Sequence, residues 1–406
     1  MKLDLVQTVA FAGVILFAGY GLKRLVPILS RYNIPAPVAG GLPVAGLLTL
    51  FYTRGWQPIA FDTTLQVPLM IAFFTSVGFG ASLNLLRRGG PLVLAFTVIA
   101  SIVAVLQNVV GATAASALGQ HPLMGVLAGS VTLTGGPATG LAFAPLFEQA
   151  GVMGAPTLAV AAAMVGIVAG GLIGGPIGTY LVERDVRRPA PAMMAAGTLA
   201  NLAEAQFPAP ADTTPPGEDV EAYALAKHIV LMLAAMWLGS WVSAWMAARG
   251  LTLPAYIGAM IVAAVLRNID DATGVVKMSQ QTIDDLGNVA LSLFLVMALM
   301  TLRLWELAGL VVPLIVILAV QVLLVAVICL LVIPRVMGRD YDAAVMSAGF
   351  CGFMLGTTAN AMANMGALVE RYGPAPKAYL VVPLVGAFFI DFVNALLITV
   401  ALNFWQ

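Results

Sequence analysis

The chain has 406 residues, of which 61% are hydrophobic and 9% are charged. Soluble domains carry about 25% charged residues, so this composition, with a mean hydropathy of +0.98, excludes a soluble fold and indicates an integral membrane protein. The 19 basic side chains equal the 19 acidic ones in number, and no excess charge points to nucleic acid or another polyanion as a partner.

Ten apolar runs approach or exceed the length needed to cross the roughly 30 Å of hydrocarbon in a bilayer. They lie near residues 4–26, 34–52, 66–86, 91–118, 156–182, 224–248, 253–267, 286–302, 308–333 and 378–402. The first run is interpreted as a retained membrane span and not as a signal peptide. Two further apolar stretches, 122–147 and 342–366, are interrupted by Gly, Thr, Asn and Pro.

The positions of Lys and Arg predict how the two interrupted stretches lie, because basic residues accumulate on the cytoplasmic side of membrane spans. If both stretches enter and leave on the same side and the N-terminus is outside, 15 of the 19 basic residues are cytoplasmic. If 122–147 crossed completely, the cluster Arg184, Arg187 and Arg188 would lie outside. Both stretches are therefore predicted to be re-entrant hairpins, and both termini are predicted to lie outside.

A linker is predicted at residues 186–221, which are rich in Ala and Pro. It is expected on the cytoplasmic side, largely without regular structure apart from one helix near Met193–Glu204. It separates an N-terminal repeat, 1–185, from a C-terminal repeat, 222–406. Each repeat has five spans and one hairpin.

The two repeats match when the chain is shifted by about 220 residues, which pairs Gly129 with Gly349 and Gly136 with Gly356. Five crossings reverse the second repeat relative to the first, so the hairpins enter from opposite faces. Inverted repeats with broken helices near the midplane are typical of secondary transporters. The two hairpin tips are predicted to meet at the centre of the membrane.

The first tip has the sequence TLTGGPATG, residues 132–140. Backbone that leaves a helix inside a membrane exposes amides that attract an anion and carbonyls that suit a dehydrated Na⁺. The substrate-binding residues predicted here are Thr134, Gly135, Gly136 and Thr139. The alternative is a kinked helix whose small residues allow close packing.

The second tip contributes Thr357, Thr358 and Asn360 to the predicted substrate site. Asn360 and Asn364 are one helical turn apart, so their carboxamides face the same way. Two carboxamides on one face coordinate a cation or hold a carboxylate; alternatively, they cap and cross-link the hairpin.

Asp391 lies halfway through the last span, where a carboxylate costs several kcal/mol unless it is paired or hydrated. Asn394 follows on the same helix face. The predicted cation site consists of Thr132, Asn364, Asp391 and Asn394 and binds Na⁺; in an alternative, Asp391 titrates in a proton-driven mechanism.

Several other polar and aromatic residues are assigned structural roles. Interhelical hydrogen bonds are expected for Gln107, Asn108 and Gln321. The pairs Asp270–Asp271 and Asp284–Asp285 are expected in the loop between two short spans, with Thr282 and Asp285 capping the helix that follows. A lipid-facing or subunit-facing surface is expected for Trp237, Trp241 and Trp245.

Five stretches resemble the bacterial sodium/glutamate symporters: IPAPVAGG, PLMGVLAGSVTLTGG, GNVALSLFLVMALM, YDAAVMSAGFCGF and LVVPLVGAFFIDFVNAL. The resemblance runs from about residue 30 to 400, outside the linker. It implies Na⁺-coupled glutamate uptake through the bacterial inner membrane by a homodimer whose transport domains move as elevators. The residues that match family positions are Gly135, Gly136, Gly356, Thr132, Thr134, Thr358, Asn364, Asp391 and Asn394.

The chain departs from the family pattern at the tips. It has Pro137 and Ala138 where the family has His and Gly, and Ala359 and Asn360 where the family has Pro and Thr. The main hypothesis is a Na⁺-coupled glutamate symporter, with a Na⁺- or H⁺-coupled carrier of another acidic amino acid or dicarboxylate as the alternative. A passive channel is the rival from another class. An intramembrane enzyme lacks a paired metal motif or an acid–base pair.

Overall fold

The structure is a computed structural model that describes residues 2–55, 59–185, 219–249, 255–307 and 309–405. In chain order its helices are α1 (Leu5–Leu25), α2 (Pro27–Arg31), α3 (Ala36–Thr53), α4 (Gln66–Gly80), α5 (Leu83–Ala117), α6 (Pro122–Val126), α7 (Gly136–Gln149), α8 (Ala155–Asp185), α9 (Val220–Ala247), α10 (Ala255–Thr273), α11 (Gln280–Met300), α12 (Val311–Leu331), α13 (Ile333–Met337), α14 (Tyr341–Leu355), α15 (Thr358–Tyr372), α16 (Pro376–Leu384) and α17 (Ile390–Trp405). The π-helical turns Leu127–Val131 and Val385–Phe389 continue α6 and α16.

Seven helical segments of the described chain are long and apolar enough to cross a membrane, and four apolar helices are shorter. The long segments are α1, α3, most of α5, α8, α9, α11 and α12 together with α13. Helices of this kind satisfy their backbone groups internally within lipid. The protein is therefore an all-helical integral membrane protein.

The helices pack into two groups. The first helix group consists of α1, α3, α4, α9, α10 and α11, and the second helix group consists of α5–α8 and α12–α17. Small residues allow close packing within each group. For example, a Cβ atom on Gly125 of α6 would lie 1.8 Å from the Gly111 carbonyl oxygen of α5.

Both interrupted stretches are helix–break–helix units. The first unit breaks at residues 132–135 between the π-turn and α7, and the second breaks at Gly356–Thr357 between α14 and α15. The Tyr341 hydroxyl, at the start of α14, donates a 2.6 Å hydrogen bond to the Gly373 carbonyl just after α15. The second unit therefore begins and ends at the same level of the molecule.

The direction of the flanking helices gives the same arrangement for the first unit. On α8, Gly166 lies against Leu355 and Gly174 against Ala348, so α8 runs antiparallel to α14. On α5, Phe96 packs edge-to-face against Phe350 and Gln107 donates a hydrogen bond to the Met354 carbonyl, so α5 runs parallel to α14. The C-terminal end of α5 and the N-terminal end of α8 therefore lie at the same level. The first helix–break–helix unit, which connects them, begins and ends at that level.

Three predicted span boundaries were wrong. The span expected at 66–86 ends at Gly80, because Asn268 of α10 accepts a 2.9 Å hydrogen bond from the Leu83 amide and donates one of 2.9 Å to the Ala81 carbonyl. The span expected at 253–267 continues to Thr273, and the one expected at 286–302 begins at Gln280. A side chain remote in sequence thus replaces the backbone bonds that would continue α4.

The acidic pairs expected in a loop lie on helices, which corrects that prediction. Asp270 is in the last turns of α10, and its carboxylate accepts hydrogen bonds from the amides of residues 276, 277 and 278 at 2.7–3.0 Å. Asp284 lies in the second turn of α11. Ser279 caps α11, so Thr282 and Asp285 do not form its N-cap.

Of the predicted linker, residues 186–218 lie outside the described residues, and so does the helix predicted near Met193–Glu204. The end of that interval is described: Asp219 caps α9, which begins at Val220. The Asp219 carboxylate accepts a hydrogen bond from the Ala222 amide and starts this helix within the last residues of the predicted interval.

Candidate functional site

A cavity of about 570 Å³ lies between the two helix groups. The second group contributes both helix breaks and one acid, namely Thr134, Gly135, Gly136, Thr357, Thr358 and Asp391. The first group contributes the opposite wall, including Lys23, Asn33, Phe73, Ser76, Asp284, Asn288 and Ser292. The volume is typical of a small-molecule site, which measures about 300–1,000 Å³.

The first tip is held by polar side chains of α5. Gln107 accepts a 2.7 Å hydrogen bond from the Thr134 hydroxyl and donates one of 3.0 Å to the Met354 carbonyl. Asn108 accepts from both the amide and the hydroxyl of Ser130. The hydroxyl proton of Thr134 is thus engaged within the protein, and its oxygen offers lone pairs to the cavity.

The second tip is fixed between α8 and the π-turn before α17. The Thr358 hydroxyl donates to the Gly386 carbonyl at 2.8 Å, and the Asn360 amide group donates to the Ile167 carbonyl at 2.7 Å. The Thr357 oxygen accepts from the Asn360 backbone amide at 3.4 Å. Its hydroxyl proton has no acceptor in the described chain, so Thr357 is the tip hydroxyl available as a donor.

The two tips touch. Gly136 has a φ of +68°, a left-handed conformation that glycine adopts without steric cost. A Cβ atom there would lie 3.7 Å from the Gly356 carbonyl oxygen and 3.9 Å from a methyl group of Thr357. The predicted meeting of the tips is present in the structure.

The N-termini of α7 and α15 both open on the cavity. No side chain caps α7 at Gly135, and Pro137 has no amide hydrogen. The Gly136 and Ala138 amides have no acceptor in the described chain. Unpaired first-turn amides and the helix dipole make such an end attractive to an anion. The N-terminus of α15 is capped by Thr357 and adds its helix dipole, so the two helix ends together suit a carboxylate ligand.

Asp391 lies on the same cavity wall, at the start of α17. Within the described chain no group donates a hydrogen bond to its carboxylate or forms an ion pair with it. Lys23, the only basic residue of the described chain that lines the cavity, is in the last turn of α1. The cavity therefore combines anion-attracting helix ends with one unpaired carboxylate.

The other three predicted cation ligands do not line the cavity. Thr132 is buried and donates to the Leu127 carbonyl. Asn364 donates to the Gly170 carbonyl at 3.0 Å, and Asn394 donates to the Ser130 carbonyl at 2.9 Å. All three residues are buried in packed protein. Two predicted substrate residues, Thr139 and Asn360, are also buried outside the cavity lining.

Two buried amide oxygens beside the tips lack partners. Asn360 Oδ1 and Asn394 Oδ1 accept no hydrogen bond, although the side chains are 0% and 1% exposed. Each amide nitrogen donates to a backbone carbonyl, so flipping either amide would place two oxygens against each other. An unpaired buried acceptor costs about 1–3 kcal/mol. A dehydrated cation would supply the missing partner.

Two sets of residues were not assigned to the site from the sequence. Gln107, Asn108 and Gln321 form the interhelical hydrogen bonds predicted for them, and Gln107 in addition joins the two tips. Asp284 faces the cavity with two residues that follow it at spacings of four, Asn288 and Ser292. That spacing on one helix face was the available signal.

The chain matches the family model described as sodium/glutamate symporter over residues 1–374. It is 43% identical over 399 residues to the sodium/glutamate symporter of Escherichia coli (strain K12), covering 98% of this chain and 96% of that protein. It is 40% identical over 396 residues to the sodium/glutamate symporter of Haemophilus influenzae, covering 97% of this chain and 96% of that protein.

Proposed function

The chain belongs to the sodium/glutamate symporter family, and we propose that it carries glutamate across the membrane together with Na⁺. It is a transporter and not an enzyme. The resemblance found in the sequence is thereby confirmed. The relatives named above are sodium/glutamate symporters, and the sequence similarity to them extends over nearly the whole chain.

One structural observation carries the proposal. The cavity between the helix groups receives the uncapped N-terminus of α7, the N-terminus of α15 and an unpaired carboxylate. An anionic amino acid needs positive potential for its carboxylates and a negative group for its amine. Transport with Na⁺ also avoids moving an uncompensated anion through a low-dielectric interior.

The proposed substrate site contains the tip residues that line the cavity, Thr134, Gly135, Gly136, Thr357 and Thr358. Thr139 and Asn360, which are buried outside the lining, are proposed to support it. For Na⁺ we propose Thr132, Asn364 and Asn394, the last of which has an unpaired buried oxygen. Asp391 lines the cavity, where its carboxylate attracts a positive charge, either Na⁺ or an ammonium group.

We propose that residues 1–185 and 222–406 are inverted repeats and that the two broken units are re-entrant hairpins. Support comes from the hydrogen bond between Tyr341 and Gly373 and from the directions of α5 and α8. The cavity lies where the second helix group faces the first. Movement of the second group along the first, as an elevator, would carry the tips from one membrane face to the other.

The proposed orientation places the basic ends of the helices in the cytoplasm of a bacterial inner membrane. Both chain termini then lie outside. In this orientation two residues of the cavity lining, Lys23 near the end of α1 and Asp284 near the start of α11, lie at the cytoplasmic ends of their helices, and we propose that the cavity opens to the cytoplasm. We also propose a homodimer. The exposed row Trp237, Trp241 and Trp245 on α9, at 55–60% exposure, is a surface that a lipid or a second subunit would cover.

Uptake of labelled L-glutamate into proteoliposomes tests the proposal. Uptake should exceed the equilibrium level when Na⁺ is higher outside than inside, and a Na⁺ ionophore should abolish the excess. Equal uptake with and without the gradient would reject Na⁺ coupling. Flux that does not saturate with glutamate would indicate a channel.

A related acidic substrate is the second candidate, because Pro137, Ala138, Ala359 and Asn360 depart from the family pattern at the tips. Three of them line the cavity and the fourth, Asn360, supports the second tip. Competition by aspartate and by four- and five-carbon dicarboxylates, measured against labelled glutamate, separates these ligands. If one of them competes better than glutamate itself, the proposed substrate is wrong.

A further inference from the structure

We propose that Asp391 binds the ammonium group of the substrate and so makes the site select an amino acid over a simple dicarboxylate. The inference rests on the proposed function, which it makes more specific. It separates Asp391 from the cation ligands with which the sequence grouped it.

The Asp391 carboxylate lies where a ligand in the cavity would meet it. Asp391 lines the cavity together with Gly136 and Thr357 of the two tips. It has no hydrogen-bonding or ionic partner in the described chain. A carboxylate left unpaired in a membrane interior is costly, so the ligand that enters the cavity is the natural source of its partner.

The cavity wall carries hydrogen-bond donors at the tips and a negative charge at Asp391. The unpaired amides of Gly136 and Ala138 and the free hydroxyl of Thr357 offer hydrogen-bond donors. All three groups can donate to the carboxylates of a substrate, and the two amides at the helix end also disfavour a cation. Asp391 offers the opposite charge on the same wall, which matches the ammonium group that an acidic amino acid carries beside its carboxylate.

Oxygen ligands suitable for Na⁺ lie outside the cavity. Na⁺ in transporters is coordinated by several oxygens, many of them carbonyls of unwound helices. The unpaired amide oxygens of the described chain belong to Asn360, Asn394 and Gln321, all buried in packed protein and absent from the cavity lining. These compact positions suit a dehydrated ion. A cavity of about 570 Å³ instead suits an organic molecule.

Asp284 is the other acid on the cavity wall, but it is less suited to this role. Its carboxylate already accepts a 2.7 Å hydrogen bond from the Gln280 side chain. It lies in the first helix group, in the second turn of α11, opposite the tips. A ligand carried by the second helix group would leave Asp284 behind, whereas Asp391 would travel with it.

The test compares two ligands that differ in the amine alone: L-glutamate and glutarate, the five-carbon dicarboxylate without the amino group. Binding is measured by calorimetry with purified full-length protein in nanodiscs at saturating Na⁺. The variants are Asp391→Asn, which removes the charge with little change in shape, and Asp284→Asn as the matched control. Stabilisation by Na⁺ alone, without organic ligand, is followed by thermal unfolding of each variant.

In the wild type, glutamate should bind at least about 30-fold more tightly than glutarate, the scale of a lost buried charge pair. Asp391→Asn should weaken glutamate binding by a similar factor and leave glutarate binding equal or tighter. Na⁺ alone should stabilise this variant at the same concentration as the wild type. Asp284→Asn should leave the ratio of the two affinities unchanged.

Several results would overturn the inference. One is equal binding of L-glutamate and glutarate by the wild type. Another is an equal loss of affinity for both ligands in the Asp391→Asn variant. A third is a change in the Na⁺ concentration that stabilises this variant, which would make Asp391 a Na⁺ ligand. If Na⁺ does not stabilise the Asp391→Asn protein at all, the inference fails for the same reason. If the wild type binds no glutamate at all, the proposed function fails; if it binds glutamate without a preference for the amine, only the role of Asp391 fails.

Discussion

Replacing Gln107 by leucine is expected to uncouple the two tips. Its side chain is fully buried, and it accepts from the Thr134 hydroxyl of the first tip while donating to the Met354 carbonyl of the second unit. Leucine is similar in volume but leaves the Met354 carbonyl without this donor and the Thr134 hydroxyl with no acceptor other than the Met354 sulfur at 3.8 Å. Each unpaired buried group costs about 1–3 kcal/mol, so the two together cost about 2–6 kcal/mol of folding free energy.

A double-mutant cycle isolates the contact between the tip and α5. Thr134→Val removes the hydroxyl and keeps the shape, and it should cost less in the Gln107→Leu protein than in the wild type. The coupling free energy should be about 1 kcal/mol, that of one buried hydrogen bond. The four proteins are compared by SDS titration in mixed micelles and by glutamate affinity at saturating Na⁺.

Gln321→Leu serves as the control for removing a buried amide from the same region. The Gln321 side chain donates to the Gln107 backbone carbonyl at 2.7 Å but its Oε1 is unpaired, so the substitution removes one hydrogen bond together with one unsatisfied atom. It should therefore cost less than Gln107→Leu and leave glutamate affinity unchanged. Additive effects of Thr134→Val and Gln107→Leu would show that the side chain does not link the tips.

Two further predictions concern packing and cation binding. Gly166→Ala should destabilise the protein by about 1–3 kcal/mol or more, since the new Cβ atom would lie 2.3 Å from the Leu355 carbonyl oxygen; Gly175→Ala on the same helix meets nothing within 4 Å and should be tolerated. Size-exclusion profiles of the two variants decide this, and equal profiles would contradict it. Asn394→Ala should raise the Na⁺ concentration for half-maximal uptake by about tenfold, equivalent to 1.4 kcal/mol, because an unpaired oxygen that would face Na⁺ is lost. An unchanged Na⁺ dependence would remove Asn394 from the cation site.

Hydropathy alone was sufficient to recognise a helical membrane protein and to locate most of its long helices. The reason is local: within lipid each helix satisfies its own backbone, so an apolar run of sufficient length forms one regardless of its neighbours. The breaks at 132–135 and at Gly356–Thr357 were also readable, because clustered glycine, proline and threonine weaken a helix wherever it lies.

The ends of helices and the roles of polar side chains required contacts between distant parts of the chain. Asn268 ends α4 from 187 residues away. Asn360 was predicted to bind substrate, but its side-chain amide donates a hydrogen bond to the Ile167 carbonyl, 193 residues away. Asp284 was expected in a loop but faces the cavity from a helix. Each of these outcomes is a choice of hydrogen-bond partner, which depends on which backbone groups packing brings within about 3 Å. A one-dimensional pattern specifies the polar residue and its period, whereas its partner is set by how the two helix groups pack.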